Sequence, residues 1–309
     1  MLPFKLVYHE GYDLHLGEHV FPSMKYKLIR DSLFHKGIAD EADFLQPEPI
    51  EDADVLAVHD ESYIHKIKTN GLSPMERMRL EIPAGAETQH AFWLAAGGTL
   101  LSARSALNDG FAANLSGGFH HAFADHGEGF CMLHDVAIAV RRLQAEGKIR
   151  TAMTIDTDVH HGNGTAAIFA RDKSVFTLSI HQENNYPNPK PPSNIDLNLP
   201  DRIDDADYLA ILESGVLQAF DEFQPDVIFY IGGADPYRQD KLGGLSLSIE
   251  GLMRRDKLVF EHSRKRNVPV VITLAGGYAW NIADTVQIHV NTVVAARDVA
   301  NSRTASKRA

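Results

Sequence analysis

The feature that most restricts what this chain can fold into is a recurring pairing: a short, continuous apolar run, then a longer stretch with helical spacing. Runs at Phe4–Tyr8, Ala112–Leu115, Thr151–Ile155, Ser174–Ile180, Asp226–Ile231 and Val268–Leu274 read as strands. Continuous rather than alternating apolarity means that both sides of a strand are covered, as in a parallel sheet. Stretches at His90–Leu107, Val136–Glu146, Asp205–Phe223 and Ile249–Arg266 read as helices between them. The pattern predicts an α/β fold with a single doubly wound, mostly parallel sheet flanked by helices, over residues 1–300. Residues 301–309 are polar and basic and read as a disordered tail.

In such folds ligands sit beyond the carboxyl ends of the strands. Here the polar clusters fall at those ends: Gly117-Gly118-Phe119-His120-His121, Asp156-Thr157-Asp158-Val159-His160, Gly233-Ala234-Asp235 and Gly276-Gly277-Tyr278. Segments distant in sequence are therefore expected to converge on one cleft.

The clusters carry groups with usable chemistry. Asp156, Asp158 and His160 stand at i, i+2 and i+4, so an extended backbone sends all three side chains to one side. Carboxylate and imidazole together suit a first-row divalent ion, zinc above all, and Asp235 is a natural further ligand from another strand end. His120 and His121 are adjacent, and a turn after Gly117-Gly118 can present both. Imidazoles beside a metal-bound water serve as general base and then acid, given an ordinary pKa of ~6.5. Each needs a partner on its other ring nitrogen, for which Asp156 and Asn163 are candidates. The Tyr278 phenol, after two glycines, is placed to meet a carbonyl oxygen as charge develops on it. Phe130, preceded by Gly129, and Tyr186 are candidate walls of a narrow channel. Taken singly, each feature has a plainer reading: turn and cap aspartates, a core histidine pair, a buried tyrosine, aromatic core.

The charge balance narrows the function classes. A formal net charge of −11 argues against nucleic-acid binding through a basic face. An acidic surface suits cationic substrates, although many acidic proteins have none. No stretch approaches the ~18 apolar residues of a membrane span, so no membrane partner is expected. The N-terminus lacks the pattern of a signal peptide. One cysteine, Cys131, rules out an intrachain disulfide and fits a reducing compartment, so a cytoplasmic protein is expected. Nothing in the pattern sets an oligomeric state.

Taken in order, SGGFHHA at Ser116–Ala122, GEGFC at Gly127–Cys131, DTDVHHGNGT at Asp156–Thr165, GGADP at Gly232–Pro236, LGGLSLS at Leu242–Ser248 and AGGY at Ala275–Tyr278 resemble the motif series of the histone deacetylase superfamily. LGGLS, with HVFPSMKY at His19–Tyr26, is most similar to the class IV branch and its bacterial relatives. The resemblance implies an arginase/deacetylase fold with one catalytic zinc held by Asp158, His160 and Asp235. His121, oriented by Asn163, would be general base and acid. His120, paired with Asp156, would act on the attacking water by charge and hydrogen bonding. Tyr278 would polarise the acyl carbonyl, and Phe130, Gly129 and Tyr186 would line the substrate tunnel. A structural potassium ion is also implied, held by Asp156, the main-chain carbonyls of Asp158 and His160, Ser179 and Ile180.

The implied reaction is hydrolysis of acyl-amide bonds on an acylated lysine peptide or a small acylated amine. An acetylpolyamine amidohydrolase, a long-chain fatty deacylase and a non-catalytic binding protein are the rivals. The rim aspartate with which many deacetylases grip a peptide backbone has no clear match in Gly71–Gly85.

Overall fold

The computed structural model describes residues 1–302 and contains one eight-stranded sheet. Its strands are β1 Lys5–Val7, β2 Phe44–Leu45, β3 Phe111–Asn114, β4 Ala152–Asp156, β5 Val175–Gln182, β6 Ile195–Leu199, β7 Val227–Ile231 and β8 Val270–Thr273. They lie in the order β2-β1-β3-β8-β7-β4-β5-β6, and every pairing is parallel. The doubly wound parallel sheet expected from the apolar runs is the one that forms. β2 and β6 were not anticipated. Both belong to the sheet's margins, and β6 reads Ile195-Asp196-Leu197-Asn198-Leu199, alternating because an edge strand is covered less completely than a central one.

The helices are α1 Lys25–His35, α2 Asp52–Val55, α3 Glu61–Lys68, α4 Pro74–Leu80, α5 Ala86–Asp109, α6 Asp135–Ala145, α7 Asn163–Phe169, α8 Asp205–Glu222, α9 Ile249–Lys265 and α10 Ile282–Asn301. Alternate strand residues divide between two cores. Ala112, Val227, Phe229 and Val271 pack with α3, α5 and α6 on one face. Phe111, Ile228, Tyr230 and Val270 pack with α1, α8, α9 and α10 on the other. Every residue of β3, β4, β5, β7 and β8 is buried as a result. Local chemistry fixes the helix ends: Asp204 accepts from the Ala206 and Asp207 amides to start α8, Ser248 accepts from Gly251 to start α9, and Gly110 closes α5 in the left-handed region. Asn301 is the last residue of α10, and the rest of the expected tail, 303–309, lies outside the described residues.

Candidate active site

β3, β8, β7 and β4 are consecutive neighbours in mid-sheet. The loops leaving their carboxyl ends carry, respectively, His120 and His121, Tyr278, Asp235, and Asp158 with His160. Strand order alone therefore gathers the clusters.

The ligand atoms of Asp158, His160 and Asp235 all lie within 4.8 Å of one another, and all three residues are buried. The chain does not stay extended past β4. The Asp158 amide donates to Asp156 Oδ1 at 3.1 Å and the His160 amide to Asp158 Oδ1 at 3.0 Å, so successive aspartate turns bend it. Asp156 consequently faces His120 and stands outside the ligand cluster. Further backbone amides pin the ligand carboxylates: Gly276 donates to Asp158 Oδ2 at 2.8 Å and Val159 to Asp235 Oδ1 at 2.9 Å. The other oxygens, Asp158 Oδ1 and Asp235 Oδ2, lie 3.0 and 3.3 Å from His160 Nδ1. Asp235 Oδ2 is buried without a hydrogen-bond partner. A Cβ on Gly276 would lie 2.0 Å from that oxygen, so only glycine fits behind the pair.

This donor set fits a divalent cation. Two buried carboxylates facing each other are costly unless positive charge joins them. Burial and the neighbouring Asp158 charge push Asp235 up to about 7. Burial draws His160 down, but the adjoining Asp158 and Asp235 carboxylates prevail and hold it up at about 10. Both directions register the same demand for a cation.

Beside this cluster the His120 and His121 rings lie 4.0 Å apart, centre to centre. His120 Nδ1 donates to Asp156 Oδ2 at 2.7 Å, and His121 Nδ1 donates to Asn163 Oδ1 at 2.6 Å. The environments drive the two rings apart in basicity. Burial lowers His120, but the Asp156 and Asp158 charges outweigh it and raise it to about 9. His121 is held well below 6.5 by burial and by the cationic demand of His120 and His160. The first ring is thereby the more basic of the two and the second the less, the divergence that separates roles in paired titratable groups.

A cavity of about 260 Å³ opens onto these groups, lined by His121, His160, Gly129, Phe130, Tyr186 and Tyr278, with Glu81 and Leu242 also in its wall. The Tyr186 ring stands 5.0 Å from His121, and Phe130 stands 6.0 Å from Tyr278. Gly129 has φ +52, and a Cβ there would lie 2.9 Å from His121 Cδ2, so this wall approaches the histidine as closely as backbone can. The Tyr278 amide donates to Asp240 Oδ2 at 2.6 Å, and Asp240 Oδ1 accepts from Leu242 and Gly243, tying the tyrosine to the LGGLS loop. Ser179 is the lateral partner of Asp156 across β4 and β5, and Ile180 follows it on the strand. A second histidine–carboxylate group, His161, His181 and Asp196, lies nearby. Both His181 ring nitrogens there are engaged, with Ser179 Oγ and Asn198 Oδ1 at 2.9 Å each, whereas His161 Nδ1 is buried without a partner.

The buried Arg255 underpins the ligand loops. It donates to the Gly233 carbonyl at 2.7 Å and the Thr157 carbonyl at 3.2 Å while pairing with Asp256 at 2.8 Å. Sequence reasoning missed Arg255, Asp240, Glu81 and Glu128. Glu81 lies within the segment where no rim carboxylate was found. Its φ of +62 at the end of α4 is rare for a side-chain-bearing residue, and no short motif marks it.

The histone deacetylase domain model matches residues 19–293. An uncharacterised protein of Picosynechococcus sp. is 39% identical over 297 residues, covering 96% of this chain and 99% of that protein. Histone deacetylase 2 of Arabidopsis thaliana is 29% identical over 308 residues, covering 91% and 77%. The crystal structure of an acetylpolyamine aminohydrolase from Burkholderia pseudomallei superposes with a TM-score of 0.78 at 21% identity, covering 95% of this chain and 98% of that one.

Proposed function

We propose, from the premise that this chain belongs to the histone deacetylase family of amide-hydrolysing enzymes, that its cleft removes short acyl groups from N-acylated lysine side chains with one zinc ion. The observation that carries this reading is the Asp158–His160–Asp235 cluster within 4.8 Å, opening onto the cavity that also exposes His121 and Tyr278. A zinc ion held there supplies Lewis acidity to the attacking water and to the acyl carbonyl.

The chain's own groups do the rest. His121 Nε2, left free because Nδ1 donates to Asn163, takes the proton of the attacking water. The same ring then delivers it to the departing amine. His120, hydrogen-bonded through Nδ1 to Asp156, stabilises negative charge on the water as it attacks. The Tyr278 hydroxyl donates to the carbonyl oxygen as that oxygen gains charge. Phe130, Gly129 and Tyr186 hold the methylene chain and exclude water. A potassium ion is proposed as well, held by Asp156, the main-chain carbonyls of Asp158 and His160, Ser179 and Ile180; Asp156 ends β4 directly beside Ser179 of β5. A cytoplasmic site of action is likewise proposed, on the single cysteine.

The narrow aromatic wall supports a short acyl group on a lysine side chain as the first reading. The cavity of about 260 Å³ is walled by Phe130, Gly129 and Tyr186, which suits a slender acetylated lysine side chain. A second reading, an acetylated polyamine as substrate, is favoured by the Glu81 carboxylate in the cavity wall, which suits a distal ammonium. Turnover of an acetyl-lysine peptide, a myristoyl-lysine peptide and acetylputrescine by the zinc-loaded protein decides. We expect the first to lead. Preference for acetylputrescine transfers the assignment to the polyamine, and no hydrolysis of any of the three refutes both.

A further inference from the structure

The turn at Gly127–Cys131 carries a carboxylate that the mechanism leaves unused. Glu128 is three-quarters or more covered, its side chain only 17% exposed. Its backbone bonds reciprocally to Cys131, and the next two amides donate to the Arg79 and Leu80 carbonyls at 3.1 and 3.0 Å. The side chain therefore starts from a fixed point. Glu128 Oε1 accepts from Asn163 Nδ2 at 2.7 Å and from the Tyr186 hydroxyl at 2.6 Å. Its other oxygen lies 3.5 Å from His126 Nε2 and 3.9 Å from Arg79 Nε.

An asparagine amide is asymmetric: one end only donates and the other only accepts. With Nδ2 committed to Glu128, Oδ1 must face His121. The Gly164 amide, donating to the same Oδ1 at 3.1 Å, favours the same orientation. An acceptor facing His121 Nδ1 at 2.6 Å requires the proton on Nδ1 and leaves Nε2 unprotonated toward the cleft. The reversed amide would set a donor against Nδ1 and favour the opposite, unreactive tautomer.

We propose that Glu128 is a positioning residue for hydrolysis, the outer end of a His121–Asn163–Glu128 relay that fixes the Asn163 amide and, through it, the His121 tautomer. This rests on the reading of His121 as base. The same carboxylate steadies Tyr186, so the tunnel wall and the base are set by one group.

The relay has a signature that packing lacks. In Asn163→Asp, two carboxylates stand where an N–H···O bond stood, and both activity and geometry suffer. Adding Glu128→Gln restores a donor opposite the new carboxylate, whose remaining oxygen still accepts from His121. With an acetyl-lysine peptide and zinc content checked, we expect kcat to fall ~10-fold in Glu128→Ala and ~100-fold in Asn163→Asp, the range typical of groups that orient a site through a neighbour. The double variant Glu128→Gln/Asn163→Asp should recover to within ~3-fold of the parent, a non-additivity that independent sites do not give. A double variant no faster than Asn163→Asp, or Glu128→Ala at the parental kcat, overturns the proposal. A readout free of turnover is the ¹⁵N NMR tautomer of His121: Nδ1–H in the parent, shifted toward Nε2–H in Glu128→Ala. An inactive parent with that NMR pattern removes the proposed activity and leaves the relay standing. A parent with Nε2–H removes the relay whatever the activity.

Discussion

Replacing Gly129, a residue of the tunnel wall, with alanine tests how closely that wall governs the base. The residue sits at φ +52, where an L side chain costs about 1–2 kcal/mol. The new methyl would lie 2.9 Å from His121 Cδ2 and 3.2 Å from Tyr186 Cε1, against an ordinary contact of 3.4 Å or more. The His121 ring must then recede by about 0.5 Å, since carbon pairs resist closer approach steeply. A 1 Å displacement of a reacting group costs up to ~100-fold, so half of that predicts a kcat about 10-fold lower. The metal cluster lies on other loops, so zinc content stays at the parental level. Steady-state kinetics on an acetyl-lysine peptide, metal analysis and urea unfolding measure the three effects. A stability loss of about 1–2 kcal/mol with kcat within twofold of the parent would refute the claim that this wall sets the position of His121.

Tyr278→Phe removes one donor to the carbonyl oxygen and should lower kcat ~100–1,000-fold with zinc retained; parental turnover on an acetyl-lysine peptide contradicts the role. Asp158→Ala should lose both metal and activity, whereas His121→Ala should lose activity alone, and metal analysis of the purified variants separates the two. Because burial and the neighbouring rings hold His121 well below 6.5, its neutral form persists on acidification, and the acid limb of kcat/KM should lie below pH 6.5. An acid limb above that pH assigns the base elsewhere. Asp256→Ala leaves Arg255 charged and unpaired beneath the ligand loops, a change that typically costs 3–5 kcal/mol, to be read by urea unfolding; a loss under ~1 kcal/mol would mean that the pair does not hold those loops.

What the sequence made legible follows from where each feature draws its signal. Asp158, His160, Asp235 and the histidine pair stand at the ends of apolar runs, and a parallel sheet obliges those ends to share one edge. A reader needs only strand direction to bring them together. Glu81 and Glu128 become part of the site through a different kind of contact. Gly129 and Phe130 dock by their amides onto the Arg79 and Leu80 carbonyls at the end of α4, and no periodicity announces a loop-to-helix bond across fifty residues of chain. α10 went unread because its buried face carries Thr285, His289 and Thr292 among the valines, so the apolar stripe is broken. The polar interruption has a purpose that sequence cannot display: the Thr292 hydroxyl donates to Asp256 Oδ2 at 2.6 Å, completing the support of Arg255 and, through the Gly233 and Thr157 carbonyls, of both ligand-bearing loops. Chemistry at strand ends is thus visible in one dimension, whereas the groups that hold that chemistry in register are visible only once helices have packed.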